Sequence, residues 1–295
     1  MSAKTIDKIW TMILYIISGF IVLLLVSLIS YILFKGWGCL NPKFLFGNPK
    51  VGEAGGGIFP MLFNSFYMLI VSLIITIPFG VGAGIYLSEY AKEGFFLRAI
   101  RLSIETMASL PSIVVGLFGL LIFVQMTKGG FTLLSGALAI TVLNLPSLTR
   151  VSENAVKAAG KGVKEASLGL GATQWQTIKS VILPSAFPQI LTGIILAAGR
   201  IFGEAAALLY TAGMSAPILK FQNVSLLNKT SPFSIMRPAE TLSVYIWKLN
   251  SEGMVPDAAQ IANKASAVLV IMVLIFNVLA RYLGKKIYES YTGTK

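Results

Sequence analysis

The stretch FPMLFNSFYMLIVSLIITIPFGVGAGIYLS, residues 59–88, runs for thirty residues without a charged side chain. An α-helix rises about 1.5 Å per residue, so roughly 20 apolar residues cross a hydrocarbon core of ~30 Å. This stretch is long enough to cross with residues to spare. Lipid offers no water to the backbone, and a helix satisfies its N–H and C=O groups within one segment. The expected fold is therefore all-α and polytopic. Five further stretches read the same way, at 9–34, 104–126, 131–149, 186–210 and 265–284, which makes six spans. Composition agrees, with 55% apolar and 12% charged residues. That is about half the charged share of a soluble domain.

The first span follows Lys4 and Lys8, as the core of a signal peptide would. Its apolar core is far longer than the ~7–15 residues of such a core, and no A-x-A-like site follows, so a retained helix is expected. Six crossings place both termini on one side. That side, together with the loops after spans two and four, holds 14 Lys and Arg, against 9 on the other. The positive-inside bias predicts cytoplasmic termini and a cytoplasmic fourth loop. The net charge of +12 is then read as orientation toward the lipid bilayer, and no nucleic-acid partner is expected.

Several chemistries lack their parts. The chain has no histidine and a single cysteine, Cys39, which excludes a histidine-based metal site or base and an internal disulfide framework. No span carries a pair of carboxylates, so general acid–base catalysis has almost nothing to use. No GxxxxGK[ST] loop is present to cradle a nucleotide. An ion-coupled transporter would need protonatable groups in the bundle, and Glu204 is the one clear carboxylate there.

The fourth loop departs from the apolar pattern. In EASLGLGATQWQTIKSVILP (165–184), Val163, Ala166 and Leu170 share one helical face. Gly169 and Gly171 end that helix. Thr173 and Gln176 match a capping box for a second helix, whose apolar face is Trp175, Ile178 and Ile182. Pro184 and Pro188 are expected to mark the turn into the fifth span. The result is a short amphipathic hairpin, suited either to lying on lipid or to entering a groove of a cytoplasmic partner. On the other side lies an outer loop, 213–264, broken by Pro217, Pro232, Pro238 and Pro256. Its apolar piece TLSVYIWKL (241–249) is apolar enough to pack back against the bundle or the interface, and reads as a surface element with Tyr245 and Trp247 at headgroup depth, or else as a lid or docking surface.

Glu165-Ala166-Ser167, then Gly171, then Val181-Ile182-Leu183-Pro184 resemble the EAA loop of ABC importer permeases, departing from it at Ser167 and Val181. The stretches 77–91, 105–120, 144–197 and 199–213 resemble phosphate importer permeases. Within them GEAAALLYTA (203–212) is closer to the PstA-type subunit than to its PstC-type sister. The resemblance implies a permease of the prokaryotic cytoplasmic (inner) membrane, paired with a PstC-type sister as a heterodimer. It further implies two ATPase subunits, an extracytoplasmic phosphate-binding protein, and ATP-Mg held by the ATPase rather than by this chain. Glu165, Ala166, Ser167, Gly171, Trp175, Leu183 and Pro184 would then form the ATPase-coupling contact. The divisions expected are an N-terminal helix and outer loop (1–58), the permease domain (59–284, coupling loop 150–185) and a cytoplasmic tail (285–295). Another oxyanion, such as molybdate, tungstate or sulfate, remains open as the cargo.

Arg200 and Glu204 stand near the middle of the expected fifth span. A charge at that depth costs at least ~2.5 kcal/mol on insertion scales and is by default functional. Their i, i+4 spacing would put both on one helix face. Gly199 and Gly203 beside them permit close backbone approach. Two readings stay open: an ion pair that holds helices together, or a pathway in which the arginine fork binds an anion. Gly80 and Gly84 read as helix packing, Asn64 and Gln125 as interfacial, Arg150 as an orientation charge, and Pro111 as the start of the third span or a kink in it.

Overall fold

The structure is a computed structural model that describes residues 3–292 except 51, 160, 220, 223, 227 and 254. It is built of helices, with no strand among the described residues beyond a single bridge between Pro49 and Gly56. Among the described residues five helices are each long and apolar enough to cross a membrane, or six where a bent pair is counted as one span.

Helix α1 (Ala3–Lys35) buries none of its own residues. It meets the bundle at its far end, where Ile32 and Leu33 pack on Ala267 and Val268. A short α2 (Pro42–Phe46), capped by Asn41, leads to α3 (Phe59–Glu89). The core forms where α3 runs beside α6 (Leu133–Ala158). Small residues permit the approach: a side chain at Gly84 would come within 2.5 Å of the Ser152 Cβ, and one at Gly80 would strike Leu148. The packing role expected of these two glycines is therefore observed.

The third span differs from the expectation of one helix over 104–126. α4 (Phe95–Ala108) and α5 (Ser112–Gly119, continued by a π-helical stretch Leu120–Met126) meet at 101°. Pro111 at the start of α5 has no N–H to carry the helix across. α4 also carries Arg98, Arg101 and Glu105, charges that keep it out of hydrocarbon. Counting apolar residues merged a surface helix with a membrane segment.

The fifth span also differs. A short α7 (Lys161–Gly169) and α8 (Gln174–Thr177) form the hairpin, and α9 (Leu183–Gly203) follows. Helix is unbroken from Gln174 to Gly203, so Pro184 and Pro188 mark no turn. A π-helical stretch, Ile178–Ile182, precedes Pro184. That wider turn makes room for a proline ring that would otherwise meet the carbonyl four residues back. The helix ends at Gly203 rather than near residue 210, and a one-turn α10 (Ala206–Leu209) follows.

The apolar piece of the outer segment packs back against the bundle, with Trp247 left exposed. Its helix α11 (Leu242–Glu252) buries Leu242, Ser243, Val244, Tyr245 and Leu249. The chain before it completes the top of α6: Leu133 N–H donates to Arg237 O (2.8 Å), and Leu134 N–H to Ile235 O (2.9 Å). These are two of the donors that a helix N-terminus leaves unpaired. The last helix, α12, spans Ala258–Thr292, so residues 285–292 of the expected tail continue it and 293–295 lie outside the described residues.

Candidate functional site

The hairpin is built as its sequence spacing requires. Thr173 Oγ1 accepts from Gln176 N–H (3.3 Å), and Gln176 Oε1 accepts from Thr173 N–H (2.8 Å), a reciprocal capping box. Gly171 takes φ +88°, a left-handed conformation that glycine adopts without penalty. Ser167 Oγ lies 2.9 Å from Thr177 Oγ1 and ties the two helices together. One face of the second helix is buried, with Ile178 at 0% exposure and Ile182 at 3%, packed with Ala155 and Val156 of α6. The hairpin is also fastened to the end of α3. Lys164 Nζ lies 2.6 Å from Glu89 Oε2, and Gln174 Nε2 donates to Glu89 O (2.8 Å).

The opposite face is open. Glu165 and Ala166 are exposed, and Leu170 and Trp175 stand 90% and 59% exposed. Leu183 and Pro184 are half-buried where α9 begins. Large apolar side chains presented together at the tip of a well-capped element mark a contact surface. The seven residues expected to act together thus lie on one continuous piece of structure, whose last turn runs directly into α9.

Arg200 and Glu204 are not brought together. Arg200 sits in the last turn of α9 with its side chain exposed. Glu204 follows the helix end in an extended conformation (φ −72°, ψ 122°) and is 9% exposed. Its Oε1 accepts from Ala207 N–H (3.1 Å), capping α10, and its backbone oxygen accepts from Ser243 Oγ (2.6 Å). The i, i+4 pairing requires a helix through residue 204, and the chain leaves the helix one residue earlier. The carboxylate is thereby a local cap, and Arg200 stands without it. A side chain at Gly199 or Gly203 would meet nothing within 4 Å. This flank of α9 is open surface rather than packing inside the chain.

Two charged groupings escaped the sequence reading. At the hairpin end, Glu153 Oε1 lies 2.8 Å from Arg101 Nη2 and 2.6 Å from Lys157 Nζ. Arg150 Nη2 lies 3.2 Å from Glu105 Oε1 across the same cavity of about 240 Å³. Arg150 therefore pairs with a neighbouring helix, where only an orientation charge was expected. The i, i+4 spacing of Glu153 and Lys157 was the one local signal.

At the other end, Arg237 is 1% exposed. It donates to Pro232 O (2.8 and 2.9 Å), to Pro238 O (3.0 Å) and to Asn64 Oδ1 (2.7 Å). Burial lowers its pKa to about 10. Asn64 is thus an interior partner, not an interfacial group. Nearby, Glu240 is 3% exposed. Burial pushes its carboxyl up to about 7, against the opposing pull of Lys248, whose Nζ lies 3.3 Å away. Burial and the same carboxylate hold the Tyr245 hydroxyl up at about 12. No group of three or more His, Cys, Asp or Glu able to hold a metal occurs among the described residues.

Residues 76–289 match the family model described as binding-protein-dependent transport system inner membrane component. The chain is 51% identical to a probable ABC transporter permease protein, YqgI, of Bacillus subtilis (strain 168), over 99% of this chain and 100% of that one. It is 33% identical to the phosphate transport system permease protein PstA of Yersinia pestis, over 81% of this chain and 76% of that one. In structure it resembles a chain of a bacterial alginate ABC transporter in complex with an alginate pentasaccharide-bound periplasmic protein. The TM-score is 0.62 at 17% identity, covering 97% of this chain and 96% of that one. At that identity the likeness concerns the fold.

Proposed function

The chain belongs to the family of binding-protein-dependent transport system inner membrane components and is an ABC importer permease subunit, and we propose that its cargo is inorganic phosphate. As such it is a transport component of the inner membrane and not an enzyme by itself. The observation that carries the coupling role is the hairpin: capped, tied to Glu89 on α3, continuous with α9, and presenting Leu170 and Trp175 outward. An ATPase that grips this tip moves α9 and α3 directly. The residues that make that contact are Glu165, Ala166, Ser167, Gly171, Trp175, Leu183 and Pro184.

Phosphate is supported by the likeness to PstA over most of the chain and by Arg200. Its guanidinium offers a planar fork to an oxyanion. It stands beside two glycines on an uncovered flank, where a sister permease can complete the route. In this reading the partners are a PstC-type permease, two ATPase subunits and an extracytoplasmic phosphate-binding protein. In the same reading both termini and the hairpin are cytoplasmic, which the bias in Lys and Arg supports. Molybdate, tungstate and sulfate are the second reading, because the same fork fits any tetrahedral oxyanion.

The test is uptake of radiolabelled phosphate by vesicles holding this chain with its co-purified partners, with and without ATP. ATP-dependent phosphate entry supports the proposal. ATP-dependent entry of another oxyanion in its place moves the cargo to the second reading. Recovery of the chain without an ATPase removes the coupling role of the hairpin.

A further inference from the structure

A groove of about 340 Å³ lies between α3, α9 and α12, and the function proposed above uses only Leu183 and Pro184 of its lining. Ile77 and Val81 on α3 line one side, Phe187 and Ile194 on α9 its length, and Lys179 and Tyr288 the end nearest the hairpin. Gly284 of α12 closes on the side chain of Leu191 and draws that helix against α9. Lys179 and Ile194 are about 15 residues apart, or ~22 Å along a helix. The groove therefore begins at an exposed cation where α9 leaves the hairpin and continues, apolar, along a membrane span.

We propose that this groove binds an anionic phospholipid, with an acyl chain along Phe187 and Ile194 and the headgroup phosphate on Lys179. The polarity of the site matches that of a lipid: charge at one end, hydrocarbon for the rest. A free hydrated anion has no reason to enter the apolar part, and basic pockets between spanning helices at one face of a bilayer suit anionic headgroups. Leu183 and Pro184 also line the groove. A lipid seated there touches the residues through which the hairpin joins α9, so its presence stiffens that junction. This inference is independent of the cargo.

The test is native mass spectrometry of the full chain, delipidated in detergent and titrated with phosphatidylglycerol or phosphatidylcholine of identical acyl chains. The wild type is expected to retain one phosphatidylglycerol in preference to phosphatidylcholine. Lys179→Gln, at an exposed position, is expected to cut that preference about fivefold. Ile194→Trp is expected to reduce retention of both lipids, with unchanged helix content by circular dichroism. Equal retention of the two lipids by the wild type, or a preference that survives both substitutions, overturns the proposal. So does cross-linking of a cysteine at Ile194, in a Cys39→Ser background, to a second protein chain in native membranes, because a helix would then occupy the groove.

Discussion

Arg200 and Glu204 separate into different roles because of one backbone residue. Once the chain turns extended at Glu204, the carboxylate points to Ala207 N–H and the guanidinium is left at the surface. Substitution of an exposed side chain with no partner in the chain leaves stability within about 0.5 kcal/mol. Arg200→Ala is therefore expected to insert and assemble as the wild type does, and to lose phosphate uptake in the vesicle assay. Loss of the assembled complex in that variant would make the arginine an interface residue instead. Glu240 carries a pH effect. Its carboxyl titrates at about 7 in the fold, above the ordinary value, so the folded chain binds more protons than the unfolded chain between those two points. Its contribution is fully present below about pH 4.5 and is lost as pH rises through about 7. The loss amounts to at most ~3 kcal/mol for a shift of this size. Thermal unfolding of the purified chain across that window should show the decline, and Glu240→Gln should flatten it. A slope that persists in the variant would assign the effect to another group.

At the scale of elements, the hairpin shows how local chemistry and tertiary anchoring divide the work. The capping box and the glycine break were legible in the sequence, because each depends on residues within four positions of one another; of the expected apolar faces, Ile178 and Ile182 are buried while Leu170 and Trp175 are not. The anchors to Glu89 were not, since Lys164 and Gln174 reach it from far along the chain. Gly171→Glu tests the element. Nothing lies within 4 Å of a Cβ there, so the penalty is conformational, about 1–2 kcal/mol for a left-handed non-glycine residue, and not steric. The variant is expected to insert normally while ATP hydrolysis in the reconstituted complex no longer drives uptake. Unchanged transport would count against docking through the hairpin tip. The same division explains the spans. Apolar runs announced the helices of the second and fourth spans, but the bend arises at Pro111 and the continuous helix through Pro184 rests on a π turn beneath the proline. Neither feature shows in a hydropathy count.

For the whole molecule, the division into two ends has a direct readout. In a Cys39→Ser background, a cysteine at Leu170 is expected to react with an impermeant thiol reagent only from the cytoplasmic side. One at Val224, 74% exposed in the outer segment, is expected to react in intact cells. Labelling of both from the same side would contradict a crossing of the membrane by α9, which lies between them. An all-α chain crossing a membrane several times, with a capped hairpin at one end, was determined by the sequence alone. An apolar run of some twenty residues or more satisfies its backbone in hydrocarbon within itself as a helix, and caps are settled between near neighbours. Tertiary structure alone decided which charges are interior. Arg237 is buried because Asn64 and two proline carbonyls converge on it, and Glu240 because α11 folds back onto the bundle. The cost of burying a charge depends on which groups surround it, and those groups are contributed by segments of chain that are remote in sequence.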